Sequence, residues 1–427
     1  MKHLVPKVTQ RPLLLISFIM IAAGGLTLLA MGCRRGGSNV DQTDGGPTKI
    51  KVVYLGLTCE PPIFVAYEKG FFQEEGLDVE LVKSDWENMR DGLGMGKFQA
   101  THHLLMYMMK PIENGLDVKI TGGIHTGCLR VQAAKNSPIK TLEDLKGKKI
   151  GVTVLGSPPH LFASRAMVAH GINPEKDVEW VTTPADTFAL ALDQKRIDAV
   201  ASAEPMGSIL LARDKVHTVC DQALTPPYGD EYCCVVTLNG KFARENPAAA
   251  AKVTRALLKG AKWVNENPTA AANLAVEKHY VSATPEINAQ AISMLKYEPG
   301  VSKAHRDMQS VARELKQSGF LKPSTDPEDL VKNCWMDLDG VNDEWVKSLK
   351  VEKVAGGGRP PKLTNAEFAS LFNSDEDCCA NGGCLGCCGD LGKGIPPLDG
   401  GWALLKPRRL EMVLKPDGGR SVVYRDR

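Results

Sequence analysis

The sequence has almost no net charge, with 52 lysines and arginines against 50 aspartates and glutamates, a formal balance of +2. So even a balance gives no basic surface for nucleic acid. The polar bias of a disordered chain is missing too. Of 427 residues, 43% are hydrophobic and 24% charged, enough apolar material for two or more packed domains. Long apolar runs are confined to one, from Leu13 to Ala30, preceded by Lys2, Lys7 and Arg11 and ending at Ala30-Met31-Gly32-Cys33.

That arrangement is the pattern of a bacterial lipoprotein signal over residues 1–33, with Cys33 as the lipidated first mature residue. An uncleaved anchor helix is the alternative, because Leu13 to Met31 nearly spans a bilayer. Both place the body outside the cytoplasm, anchored to a membrane. Residues 34–48, rich in Gly, Ser, Asp and Asn, read as a flexible tether.

From Lys49 strand and helix patterns alternate, which argues for an α/β protein with mostly parallel sheets. The stretch Lys148–Pro174 organises the rest. Ile150, Val152 and Val154 alternate as on a strand, Gly156 punctuates, and Ser157 with Pro158 opens a helix that Gly171 and Pro174 close. A helix start at the carboxyl end of a strand suits a small anion. Pro158 and Pro159 lack donors, so the Gly156 and Ser157 amides, the Ser157 hydroxyl and the His160 ring would do that work. Strands are also expected at Lys51–Leu55, Leu77–Val82, Phe98–Thr101, Val118–Gly122, Cys128–Ala134, Val178–Val181, Ile197–Ala201 and Glu231–Thr237, and helices at Pro62–Phe72, after Trp86, and over Leu104–Met109. The C-terminal half reads as helical up to a Gly- and Cys-rich tail at 351–427, whose Arg409–Tyr424 reads as a β-hairpin.

Several phrases, in this order and spacing, resemble the solute-binding proteins of ABC transporters, in particular the nitrate/bicarbonate branch of the nitrate, sulfonate and taurine group. They are Ala66-Tyr67-Glu68-Lys69-Gly70-Phe71-Phe72 before Gly76-Leu77-Asp78-Val79-Glu80; Trp86-Glu87-Asn88-Met89-Arg90-Asp91; Leu145-Lys146-Gly147-Lys148-Lys149-Ile150-Gly151-Val152; His160 with Arg165; Gly171-Ile172-Asn173-Pro174; and Ile197-Asp198-Ala199 before Glu204-Pro205. The resemblance covers roughly Lys49–Lys350. It implies a periplasmic-binding-protein-like fold of type II, with one lobe of 49–128 and 229–350, a second of 129–228, and two crossings near Cys128–Arg130 and Tyr228–Cys234. It also implies that the chain closes like a trap on a small oxyanion, with Trp86 and His160 as ligand donors, Glu204 and Glu231 in the shell, and an ABC permease and ATPase as partners. The lysine that nitrate binders present near the second crossing is absent, and Asp230-Glu231 stands there. A carboxylate facing an anion needs a proton or an intervening metal.

Twelve cysteines are more than such a binder needs. Cys59, Cys128, Cys233 and Cys234 border the expected cleft. With His102, His103 and His125 they make a soft-ligand set suited to zinc, copper or iron, while disulfides and plain burial remain open. Strand alternation lets one of Cys233 and Cys234 face the ligand, and Cys233 and His103 are taken as the facing residues. In the tail, Cys379, Cys384 and Cys387 have the C-x4-C-x2-C spacing of a two-iron cluster loop, with Cys378 and Cys388 beside them. Disulfides in a small knot, or a zinc site, fit there nearly as well. The expected function is therefore a binding protein, not an enzyme, that needs no cofactor. Two alternatives stand beside it: a receptor for a metal, metal chelate or thiophilic solute acting through the cleft cysteines, and an iron-dependent enzyme like the thiamine pyrimidine synthases, which share the fold.

Overall fold

The computed structural model describes residues 47–361 and the backbone of two paired strands at 409–414 and 420–425. Cys33, the tether up to residue 46 and the tail cysteines Cys378, Cys379, Cys384, Cys387 and Cys388 lie outside the described residues.

Ten strands carry the architecture: β1 (Thr48–Tyr54), β2 (Leu77–Lys83), β3 (Ala100–Leu104), β4 (Val118–Thr126), β5 (Leu129–Ala134), β6 (Lys149–Val152), β7 (Glu179–Thr182), β8 (Ala199–Ala203), β9 (Val216–Asp221) and β10 (Tyr232–Asn239). They form two five-stranded sheets, ordered β2-β1-β3-β10-β4 and β7-β6-β8-β5-β9. The two sheets share one plan. In the first, β1 runs parallel to β2 and β3, while β10 runs antiparallel between β3 and β4. In the second, β6 runs parallel to β7 and β8, while β5 runs antiparallel between β8 and β9. In each sheet the reversed strand is the one that arrives from the other sheet. Gly127-Cys128 makes one crossing and residues 222–231 the other. A two-strand hairpin, β11 (Arg409–Leu414) with β12 (Arg420–Arg425), pairs antiparallel in the tail.

Strand composition explains the layering. Val52, Val53 and Tyr54 are buried in succession, as a central strand covered on both faces demands. One face of the first sheet packs with Met89, Leu93, Phe98 and Met108. One face of the second packs with Phe188, Val200 and Ile209. The remaining faces share a continuous core that includes Phe64, Phe162, Leu257 and Tyr297. In that core the helix Pro247–Glu266 lies against the helix Pro61–Glu68 so closely that a Cβ on Gly260 would meet the Pro62 carbonyl oxygen at 2.4 Å.

Several local readings are corrected. The organising strand ends at Val152, and Val154 and Leu155 project to solvent, more than half exposed. The expected helix Pro62–Phe72 is two helices, interrupted where Gly70 takes φ +77°, a conformation that favours glycine. β9 went unread because it lies at the sheet edge, where the adjacent polar residues His217 and Thr218 interrupt the apolar pattern on both faces.

Candidate functional site

The strands of the first sheet that lie beside the crossings gather the thiols and imidazoles. The Sγ atoms of Cys59 and Cys234 and ring nitrogens of His102 and His125 all lie within 4.8 Å of one another, and all four residues are buried. Four elements deliver them. Cys59 comes from the loop after β1, His102 from β3, His125 from the end of β4, and Cys234 from β10, directly opposite His125 in the ladder. Cys128, Cys233 and Cys234 form a second group, with Cys128 Sγ 3.0 Å from Cys233 Sγ. Cys128 sits at φ +130°, a strained value for a side chain with a Cβ, directly after Gly127.

Two expectations fail here for identifiable reasons. Both Cys233 and Cys234 enter the cluster, because register shifts on either side of Cys234 break the alternation of β10. His103 does not enter it. On β3 it faces opposite to His102, stacking on Tyr107 at a centroid distance of 5.4 Å with Trp86 edge-on at 5.4 Å. Burial drives the His102 imidazole well below its ordinary pKa and His103 down to about 3, so both are neutral. Burial alone would raise the Cys233 thiol, but hydrogen bonds from Cys128 and Cys234 bring it down to about 6, whereas Cys128 is pushed up to about 11, with its bond to Cys233 the largest cause.

The two expected carboxylates are occupied. Glu231 accepts from Arg165 Nη2 at 2.7 and 2.5 Å, and Arg165 Nε reaches Glu314 at 2.5 Å. Glu204 lies 2.5 Å from Arg130 Nη1, accepts from the Ser208 hydroxyl at 2.9 Å, and shares Arg130 with Asp221 at 2.7 Å. Each buried arginine is thus held between two carboxylates. Among the described residues Arg165 Nη1 is buried without a partner, as are the Ser157 and Ser164 hydroxyl oxygens on the same helix, Pro158–Ala169 and its cap. The triad around Arg165 also ties that helix, which follows the second sheet, to the crossing before β10 and to the helix Ser302–Gln317.

The anion cradle expected at Gly156–His160 is used internally. The Gly156 amide donates to His160 Nδ1 at 2.9 Å and the Ser157 amide to the Val154 carbonyl at 3.2 Å. With prolines at the first two helical positions, the ring is the acceptor within reach of the loop amide. The His160 ring packs edge-on against Trp180 at 4.4 Å and Phe320 at 5.4 Å, and burial lowers its pKa to about 4. Trp86 is half-buried and meets His103 and Tyr107, so the two expected ligand rings rest on different aromatic neighbours.

A further feature escaped the sequence reading. Glu60 is buried, and its carboxyl accepts backbone amides of Leu55, Gly56 and Leu57 at 2.7–3.1 Å, filling the loop after β1 from within. Burial and the neighbouring Cys59 thiol push it up to about 8 despite those donors. Its place before Pro61-Pro62, at a helix start, was the available signal.

Two mixed sheets of identical plan, exchanging one strand each across two crossings, define a periplasmic-binding-protein fold. Within that class the chain belongs to the NMT1-like family, whose family model matches residues 43–277. It is 23% identical over 357 residues to the nitrate/nitrite binding protein NrtA of Nostoc sp., covering 73% of this chain and 79% of that protein. It is 24% identical over 304 residues to the 4-amino-5-hydroxymethyl-2-methylpyrimidine phosphate synthase THI11 of Saccharomyces cerevisiae, covering 64% and 84%. The structure of the periplasmic aliphatic sulphonate binding protein SsuA from Escherichia coli superposes with a TM-score of 0.58 at 16% identity, over 75% of this chain and 98% of that one.

Proposed function

We propose that this protein is the extracytoplasmic, lipid-anchored receptor of an ABC importer, which captures a small solute by closure of its two sheets and passes it to a membrane permease and its ATPase. The names of NrtA and SsuA make small oxyanions the first solutes to consider. The observation that carries this reading is the set of buried donors on one helix that have no partner among the described residues, Arg165 Nη1 with the Ser157 and Ser164 hydroxyls. A buried donor left unpaired costs about 1–3 kcal/mol, and an acceptor oxygen from a solute removes that cost. Trp86 supplies a half-buried indole N–H on the first sheet's side. No bond is made or broken in such a cycle, and hinge closure suffices.

A second reading is favoured by the arginine triads. Each sets one cation against two carboxylates, so the polar interior carries a negative excess that opposes a free anion and suits a neutral solute, or an oxyanion accompanied by a cation. Calorimetric titration of the full-length chain with nitrate, bicarbonate, taurine and a neutral aminopyrimidine separates these. Saturable binding of an oxyanion that weakens at least tenfold in Trp86→Ala supports the first reading. Binding of the pyrimidine alone supports the second, and no saturable binding of any of them overturns the receptor proposal.

A further inference from the structure

We infer that Cys59, His102, His125 and Cys234 bind a divalent metal ion of the zinc class, as a resident site built into the first sheet beside the crossings. The inference stands on geometry and does not depend on which solute, if any, the receptor takes.

Donor placement comes first. Tetrahedral zinc with thiolate and imidazole ligands separates its donor atoms by about 3.3–3.8 Å, as bond lengths of about 2.3 and 2.0 Å require. The four donors here already lie within 4.8 Å of one another, so small side-chain rotations close the shell. They come from the loop after β1 and from three neighbouring strands of one sheet, β3, β10 and β4, which fixes them without a long flexible arm.

The unpaired nitrogens point the same way. Both ring nitrogens of His102 and the Nε2 of His125 are buried and have no hydrogen-bond partner among the described residues. Buried polar atoms are nearly always paired, and a metal is the partner that a neutral imidazole nitrogen takes without a proton. His125 also carries the supporting contact of a metal ligand. Its Nδ1 lies 3.3 Å from the Thr126 carbonyl oxygen, so the N–H sits on that side and Nε2 keeps an uncommitted lone pair for a metal. Tyr297, fully buried, leans on the His125 ring at 5.0 Å and donates its hydroxyl to the Cys59 carbonyl, covering the group.

Charge selects the ion. Two thiolates and two neutral imidazoles around a divalent cation sum to zero, which a dry interior tolerates, whereas a monovalent ion leaves a buried negative charge. The thiol and imidazole donors exclude calcium and magnesium, which take oxygen. The alternative group, Cys128, Cys233 and Cys234, offers three donors with no unpaired imidazole among them.

The test uses the full-length chain purified under reducing conditions, stripped with chelator and titrated with Co²⁺ and then Zn²⁺. Nine histidines are present and none falls in the cysteine-rich tail, so histidine variants report on this site and not on the tail thiols. Expected are visible ligand-field bands and near-ultraviolet thiolate charge-transfer bands at one Co²⁺ per chain for this site, displaced by Zn²⁺, with a rise in melting temperature. His102→Ala and His125→Ala should each lose at least tenfold in cobalt affinity, with the milder Cys59→Ser and its circular dichroism controlling for misfolding. Bands that persist unchanged in both histidine variants place the ion on cysteines alone and overturn the inference. Absence of any such band in the folded parent, or a Cys59–Cys234 disulfide in its peptide map, also overturns it.

Discussion

Replacing Arg165 by methionine should be among the most damaging single changes in the molecule, and its cost should depend on pH in a defined direction. The Arg165 side chain is fully buried, Glu231 is 11% exposed and Glu314 26% exposed. Methionine fills much of the same volume, so the loss is electrostatic: Glu231 stays buried, adjacent to Glu314, with no cation. Breaking a buried pair from one side costs about 3–5 kcal/mol. Because Glu314 keeps water, the lower half of that range applies, about 3 kcal/mol. Burial already raises the Glu231 carboxyl above its ordinary value even with Arg165 present. Without the guanidinium it rises further, so the folded state holds its proton more tightly than the unfolded chain. Stability gained from that proton is present below about pH 4 and is lost as pH rises through the folded value, so the deficit is greatest at neutral pH and shrinks on acidification. Urea unfolding of parent and variant at neutral pH and at about pH 5 measures this. Adding Glu231→Gln to the variant should recover about half the loss. A deficit below about 1 kcal/mol at neutral pH, or one that does not change with pH, refutes the reasoning.

Glu60→Gln removes one of the oxygens that hold the Leu55–Leu57 amides and should cost about 1–3 kcal/mol by denaturant unfolding. Because the Glu60 carboxyl is raised to about 8, the parent should lose stability as pH climbs through that value, and the variant should not. Gly260→Ala should destabilise by about 1–3 kcal/mol although alanine is the better helix former, since its Cβ meets a backbone carbonyl that only helix displacement can clear; a stabilised variant would show the two helices to be further apart. His160, lowered to about 4, contributes stability that is present above about pH 6.5 and is lost on acidification at about 1.4 kcal/mol per pH unit, down to its folded value. His160→Asn keeps an acceptor for the Gly156 amide and should flatten that limb; an unchanged acid slope would contradict the buried, neutral imidazole.

The fold was legible because its strands announce themselves. Ile50 and Val52 on β1 and Ile150 and Val152 on β6 follow the period of a pleated strand, and the Pro- and Gly-marked helix starts between them set the α/β rhythm. What stayed hidden depended on geometry between distant residues. Arg165 lies 66 residues from Glu231 and 149 from Glu314, and nothing local to any of them signals the triad. Grouping His102 and His103 in one soft-ligand set overlooked that neighbouring strand residues face opposite sides, so that only His102 meets the thiols. The inclusion of both Cys233 and Cys234 required an irregularity in the β10 ladder that no sequence period encodes. At Gly156 the sequence correctly marked a turn at a helix start. It could not show that the nearby His160 ring would take the amide before any ligand could.

Two sheets joined by two crossings that close on a solute must make the molecule more compact when it is loaded. Small-angle X-ray scattering of the full-length chain, with and without a saturating solute identified by calorimetry, tests it most directly. The expected result is a smaller radius of gyration on saturation in the parent, and at the same solute concentration little or no change in Trp86→Ala. An unchanged radius in a parent protein that calorimetry shows to be fully loaded would contradict it.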